Sequence, residues 1–171
     1  SLEALARRLG IGERYLRKLF QRELGLSPQA IALNRRLLFA KKLLAETTLP
    51  MTEVAFAAGF GSVRSFNNAV QKHFHMPPSA LRKKHPGPGQ SASVQLQLQY
   101  RPPYDWHSVA AMFGRHAIAG VEEVSGDVYR RNITLAGSSG TIEVSPVAQR
   151  DALRLTVALD DQRLLLPLVA R

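Results

Sequence analysis

Apolar positions recur in the first half of the chain as two copies of one pattern. Leu2, Leu5, Ala6 and Leu9 before Gly10 correspond to Met51, Val54, Ala55 and Ala58 before Gly59, at an offset of 49. The offset then becomes 50, so that Leu16 matches Phe66, Leu24 matches Phe74, Leu26 matches Met76 and Pro28 matches Pro78, with one extra residue in the second turn. Each copy predicts a short helix, a glycine-containing turn and a second helix, the helix-turn-helix arrangement. The second helix of the first copy is expected over about Glu13 to Glu23, with Leu16, Leu19 and Phe20 facing inward. In the other copy Ser62 is expected to cap a helix whose buried stripe is Phe66, Val70 and Phe74. Between the copies Pro28 to Glu46 reads as one long helix, capped by Ser27, with Ile31, Leu37, Leu38, Leu43 and Leu44 as its apolar positions. After a break at Thr47-Thr48, Thr52 is the expected cap of the next helix.

The second half changes period. Val94, Leu96, Leu98 and Tyr100 alternate with Gln95, Gln97 and Gln99, and Leu153, Leu155, Val157 and Leu159 alternate with Arg154, Thr156 and Ala158. Period two marks strands with one buried face. Shorter strands are expected at Val128 to Leu135 and Thr141 to Val144, joined by a hairpin turn at Gly137-Ser138-Ser139-Gly140. Asp105 to His116 predicts a helix with Trp106, Val109, Ala110 and Phe113 on its apolar side. Proline, glycine and serine replace both periodicities over residues 85–93, which read as a linker. The expected fold class is α+β: an all-α double helix-turn-helix domain over residues 1–84, then a small antiparallel sheet domain with a packed helix over residues 94–171.

Charge sharpens this division. The formal net charge is +10, and residues 1–89 hold 15 Lys and Arg against 5 Asp and Glu, whereas residues 90–171 hold 8 of each. The whole excess belongs to the repeated half, which points to a polyanionic partner for that half alone. The chain has no cysteine, which excludes disulfides, thiolate metal sites and cysteine nucleophiles. No run approaches the ~18 apolar residues of a membrane span, and no signal-peptide pattern opens the chain.

A helix-turn-helix places its second helix in the DNA major groove, so double-stranded DNA is the expected partner. Arg14, Arg17 and Lys18 share one face of the first such helix, where they could meet guanine edges or phosphates. Arg64, Asn67 and Asn68 point together from the second, and asparagine pairs with adenine as arginine does with guanine. Two consecutive asparagines are uncommon in a helix without such a reason. The long helix would span roughly 27 Å at 1.5 Å per residue. Successive major grooves lie ~34 Å apart on one face of B-DNA, so bending of the DNA toward the protein is expected.

Catalytic and metal chemistry find no footing. Glu122-Glu123 and Asp160-Asp161 read as solvated charge, and Trp106 reads as core. His73, His75, His85, His107 and His116 lack the i, i+4 pairing of helical zinc sites. No catalytic residue, metal site or cofactor is expected.

The residues of the first half resemble the AraC/XylS-type DNA-binding domain, in which one long helix joins two helix-turn-helix units. The matching positions are Leu5-Ala6, Leu16, Arg35-Arg36-Leu37, Ala40, Leu43-Leu44, Val54-Ala55, Gly59-Phe60, Ser65-Phe66 and Pro77-Pro78. The resemblance implies base-facing sites at Arg14, Arg17 and Lys18 in the first unit and at Val63, Arg64, Asn67 and Asn68 in the second. His75 stands where the first copy has Gly25. RNA polymerase is the further partner to be considered for a regulator of this kind, and the bacterial cytosol, in association with the nucleoid, is the expected location.

In the second half, Tyr100-Arg101-Pro102-Pro103-Tyr104-Asp105-Trp106, Gly120-Val121-Glu122, Tyr129 and Leu164-Leu165-Leu166-Pro167-Leu168-Val169-Ala170-Arg171 resemble the amino-terminal domain of AlkA-type 3-methyladenine DNA glycosylases. That domain packs beside the catalytic helix-hairpin-helix domain and does not itself cleave the glycosidic bond. The resemblance places a pocket-lining position of the family on Met112, with Phe113 beside it. The combination resembles Ada–AlkA fusions, and implies a regulator joined to the non-catalytic front of a glycosylase, as a fragment of a longer protein. The alternative is an AraC-type activator whose second domain binds a small effector.

Overall fold

A computed structural model describes residues 2–82 and 93–169. The first half is helical: α1 (Leu2–Arg8), α2 (Glu13–Leu24), α3 (Pro28–Glu46), α4 (Met51–Ala57), α5 (Val63–Phe74) and α6 (Pro78–Leu81). The repeat survives in the backbone. Gly10 and Gly59 both adopt left-handed φ, at 67° and 80°, where the two turns need a residue without a Cβ. Ser27 and Ser62 cap α3 and α5, each accepting a hydrogen bond from the backbone N–H three residues on, at 3.1 Å. Gly25 and His75 end α2 and α5 in the same left-handed conformation.

Two local expectations are corrected. Thr52 does not cap α4, because the helix begins one residue earlier at Met51: the Pro50 carbonyl already accepts from the Val54 N–H at 2.9 Å. Leu38 is 54% exposed. The packed row of α3 runs through Leu33, Leu37, Ala40 and Leu44, at helical spacing, and Leu38 lies about 100° away from it.

The second half is β1 (Val94–Gln99), α7 (Trp106–Arg115), β2 (Glu122–Ser125), β3 (Val128–Leu135), β4 (Ser138–Pro146), β5 (Ala152–Leu159), a short 3-10 turn at Gln162–Leu164 and α8 (Leu165–Val169). The strands form one antiparallel sheet in the order β1-β5-β4-β3-β2. The β3–β4 turn is shorter than the pattern suggested. Only Ala136 and Gly137 lie in it, both at positive φ, and Ser138, Ser139 and Gly140 already pair with Leu135, Thr134 and Ile133. Mirror-image two-residue turns follow the strand twist and so extend the ladder into residues of turn-like composition. Within β4 this position takes glycine, Gly140, because a Cβ there would lie 2.5 Å from the Ala158 carbonyl oxygen.

The main core crosses between the halves. Leu37, Leu43, Leu44, Val54, Phe66 and Val70 of the helices cluster with Val94, Leu96, Leu155, Val157 and Leu165 of the sheet domain. A second cluster, Trp106, Ala110 and Tyr129, seats α7 on the other part of the same sheet. The two units expected on either side of a linker therefore share a core. Residues 85–92 of that linker lie outside the described residues.

Polar groups seal the junction where it matters most. β1 is an edge strand, and Gln97 sends its backbone N–H and carbonyl away from β5. Glu46 accepts from the Gln97 N–H at 2.9 Å, while Lys42 donates to the Gln97 carbonyl and to Glu46 at 2.8 Å. An i, i+4 ion pair on α3 thus takes the place of a neighbouring strand and satisfies an edge that would otherwise be open to pairing.

Candidate nucleic-acid interface

α2 and α5 are amphipathic by construction: one buried row fixes each helix and leaves the other face outward. In α2 the row is Leu16, 1% exposed, with Leu19 and Phe20 half-buried. That anchoring leaves Arg14, Arg17 and Lys18 exposed together. Arg17 is held by Glu13, with Nη2 2.7 Å from the carboxylate. A phosphate would have to compete with that carboxylate for the guanidinium, whereas no ion pair is found for Arg14 or Lys18 among the described residues.

In α5, Phe66 and Val70 are fully buried and Phe74 is half-buried, which turns Arg64, Asn67 and Asn68 outward. Phe60 meets Phe66 edge-on at 5.4 Å between ring centroids, so the turn before α5 is locked to the helix. Val63, Asn67, Asn68 and Gln71 line an open cleft of about 400 Å³ together with Met51 and Pro77-Pro78. Arg64 is exposed beside this cleft rather than in it. Val63 is half-buried and packs against the main core, so it offers only part of its surface outward.

The two units are unequally supported. In α1 and α2 only Ala6 and Leu16 are buried, whereas α4 and α5 bury Val54, Ala55, Ala57, Phe66 and Val70. Leu9 and Leu24 are 53% and 58% exposed, while their repeat partners Ala58 and Phe74 are buried and half-buried. α3 and the sheet domain cover the second unit.

Arg36 is a residue that the pattern of α3 did not single out. It donates to the Gly59 carbonyl at 3.3 Å, and its guanidinium lies 5.2 Å from the Phe60 ring centroid. It thereby ties the long helix to the turn of the second unit. Its signals in the sequence were its place beside Arg35 and its match to the family pattern, and neither gave a hint of this bond.

In the sheet domain, Met112 is 43% exposed on α7, and Phe113 stacks at 4.9 Å on Tyr129. Glu122 departs from the expectation of solvated charge. It accepts from the Tyr129 hydroxyl at 3.0 Å and pairs with Arg131 at 3.2 Å, with 14% of its side chain exposed. Burial, and then the bond to Glu122, push the Tyr129 phenol above its usual range. Trp106 is core, and its indole N–H donates to the Asp127 carbonyl at 2.7 Å. Asp105 caps α7, and bonds from the Ser108 hydroxyl and backbone N–H hold its carboxyl below the usual range. No group of three or more His, Asp or Glu is placed to hold a metal ion among the described residues. Among them no helix is long and apolar enough to cross a membrane.

The chain matches the Helix-turn-helix domain family over residues 5–84 and the AlkA N-terminal domain family over residues 95–171. It is 35% identical over 175 aligned positions, 99% of this chain and 35% of the relative, to the "Probable bifunctional transcriptional activator/DNA repair enzyme AlkA" of Mycobacterium tuberculosis. The "HTH-type transcriptional regulator GbdR" of Pseudomonas aeruginosa is 35% identical over 85 residues, 50% of this chain and 23% of that protein. A crystal structure of an AraC-type transcriptional regulator from Chromobacterium violaceum is 32% identical and covers 48% of this chain and 73% of its own, with a TM-score of 0.45. The chain spans about a third of the length of the Mycobacterium relative. Residues 5–84 thus carry a helix-turn-helix domain and residues 95–171 an AlkA N-terminal domain.

Proposed function

We propose that this chain is the DNA-reading part of a transcription regulator linked to repair of alkylated DNA. The observation that carries this is the pair of exposed polar helix faces, Arg14, Arg17 and Lys18 on α2 and Arg64, Asn67 and Asn68 on α5, in the two units that flank one 19-residue helix in the chain. α3 is a spacer of roughly 27 Å at 1.5 Å per residue. That length is shorter than the ~34 Å between successive major grooves on one face of B-DNA, which supports the bent-DNA reading. Selection from a random-sequence duplex pool, followed by footprinting, is expected to give two protected segments about one helical turn apart. Circular-permutation mobility is expected to show a bend, and straight DNA with both segments protected would contradict it.

The AlkA N-terminal domain supports the link to alkylation repair. It favours that reading over a second domain that senses a small effector. Cleavage of the glycosidic bond is not assigned to the described residues, since the most enclosed of the acids weighed for catalysis, Glu122, is committed to Tyr129 and Arg131. Methylated duplex incubated with the chain is expected to release no 3-methyladenine. Contact with RNA polymerase and residence at the nucleoid follow from the regulator reading and stand or fall with it.

A further inference from the structure

The two turn glycines of the repeat have the same conformation and different neighbours. A Cβ on Gly10 would meet nothing within 4 Å. A Cβ on Gly59 would lie 3.2 Å from Leu166 Cδ2 and 3.4 Å from Arg36 Cδ. Leu166 belongs to α8, beyond the last strand, so a side chain of the sheet domain touches the turn that sets the second reading helix. Next to it, the Arg163 guanidinium lies 5.4 Å from the ring centroid of Phe56 on α4, and Leu165 is buried in the shared core. The turn is thus gripped from two domains: Arg36 holds the Gly59 carbonyl from α3, and Leu166 backs its Cα. Among the described residues, no side chain comes within 4 Å of a Cβ on Gly10 as Leu166 and Arg36 do at Gly59.

From this asymmetry we propose that Leu166 and Arg163 are positioning residues for DNA reading by α5. They act through α4 and the Gly59 turn without touching DNA, and the coupling reaches one half of the recognition site only. It rests on the reading of α5 as a groove-entering helix. Mechanically, α4 and α5 are joined by a five-residue turn, from Ala58 to Ser62, and any loosening of α4 changes the angle at which Arg64, Asn67 and Asn68 are presented. The sheet domain then sets that angle, and an event that shifts the sheet domain is felt as altered reading at the second half-site. By linkage, occupancy of that half-site stabilises the docked sheet domain in return.

The test uses the whole 171-residue chain and the duplex that the wild-type chain enriches from a random-sequence pool. Leu166→Ala and Arg163→Ala are expected to lower affinity roughly three- to thirtyfold, a range typical of coupling mutations. Hydroxyl-radical protection should be lost from the segment that depends on Arg64 and kept on the segment that depends on Arg14. Leu166→Met should restore both segments. Equal loss from both segments, or unchanged protection, would overturn the proposal. Gly59→Ala should weaken binding more than Gly10→Ala, and Leu166→Ala should partly rescue Gly59→Ala by making room; additivity of the last two would also overturn it. Hydrogen exchange separates this failure from failure of the DNA reading. If no duplex is enriched but Leu166→Ala speeds exchange in α4 and α5 and not in α1 and α2, the coupling stands and the DNA reading falls.

Discussion

Arg17 and Glu13 show how single side chains tune the basic surface. The carboxylate that holds Arg17 at 2.7 Å also places a negative charge on the face expected to meet phosphate. Glu13→Gln should therefore tighten binding to duplex DNA and steepen its salt dependence by about one charge. Fluorescence titration at several salt concentrations reads both. Arg64→Ala should cost on the order of 1–3 kcal/mol and relax preference at one base position, while an equal loss on random duplex would make Arg64 a phosphate contact. Backbone strain gives a prediction free of DNA. His75 and Ala136 hold φ at 57° and 50°, a region that costs a residue with a Cβ roughly 1 kcal/mol or more. His75→Gly and Ala136→Gly should each raise the thermal midpoint, and a fall would contradict the assigned turn geometry. His107 offers a local probe of the α7 seat. The Asp127 carboxylate, by hydrogen bond and by charge, raises its pKa above the usual 6.5. The contribution of that pair to stability is complete below the unfolded value and fades as pH rises through the folded one. An NMR titration of Asp127→Asn should bring the imidazole back toward its ordinary value.

Among elements, α3 does the most varied work. It spaces the two units, lays Leu37, Ala40 and Leu44 into the shared core, and closes the open edge of β1 with Lys42 and Glu46. Removing Glu46 leaves the Gln97 N–H without its acceptor, at about 1–3 kcal/mol if water does not replace it. Glu46→Ala should thus lower the unfolding midpoint in urea, and it should speed exchange at the Gln97 amide before that of α2. The elements themselves were largely legible, because their signals are local. Doubled apolar spacing located α1, α2, α4 and α5, and alternation located β1 and β5. β2 was missed because four residues, two of them acidic, carry no periodicity of their own; antiparallel pairing with β3 makes Glu122–Ser125 a strand. The β3–β4 turn was drawn too long for the related reason that serine and glycine mark both turns and strand ends. What could not be read was long-range: the Lys42–Glu46–Gln97 seal, the Leu166 contact at Gly59 and the Arg36 bond each join residues 23 or more positions apart. Of the reading surface, the exposed residues of α2 and α5 followed from the buried rows opposite them, whereas the half-burial of Val63 depended on tertiary packing.

At the scale of the whole molecule, the charge imbalance and the shared core point in different directions. Charge separates a basic half from a neutral one, while Leu37, Leu43, Leu44, Phe66 and Val70 share their core with Leu96, Leu155 and Val157. The halves therefore differ in charge and not in whether they pack together, and calorimetry is expected to show the second helix-turn-helix and the sheet melting in one transition. The docked sheet is also the reason α2 and α5 are not equivalently supported, although the repeat makes them alike in sequence. The central claim is that α2 and α5 grip duplex DNA through their cationic faces. It is tested most directly by the affinity of the purified chain for its selected duplex between 50 and 200 mM salt, for wild type and for a variant with Arg14, Lys18 and Arg64 changed to alanine. For about five phosphate contacts the wild-type affinity should fall roughly a hundredfold or more over that range, and the variant should bind weakly with a shallower slope. Absence of salt-sensitive affinity for any duplex, or a variant indistinguishable from wild type, would contradict it.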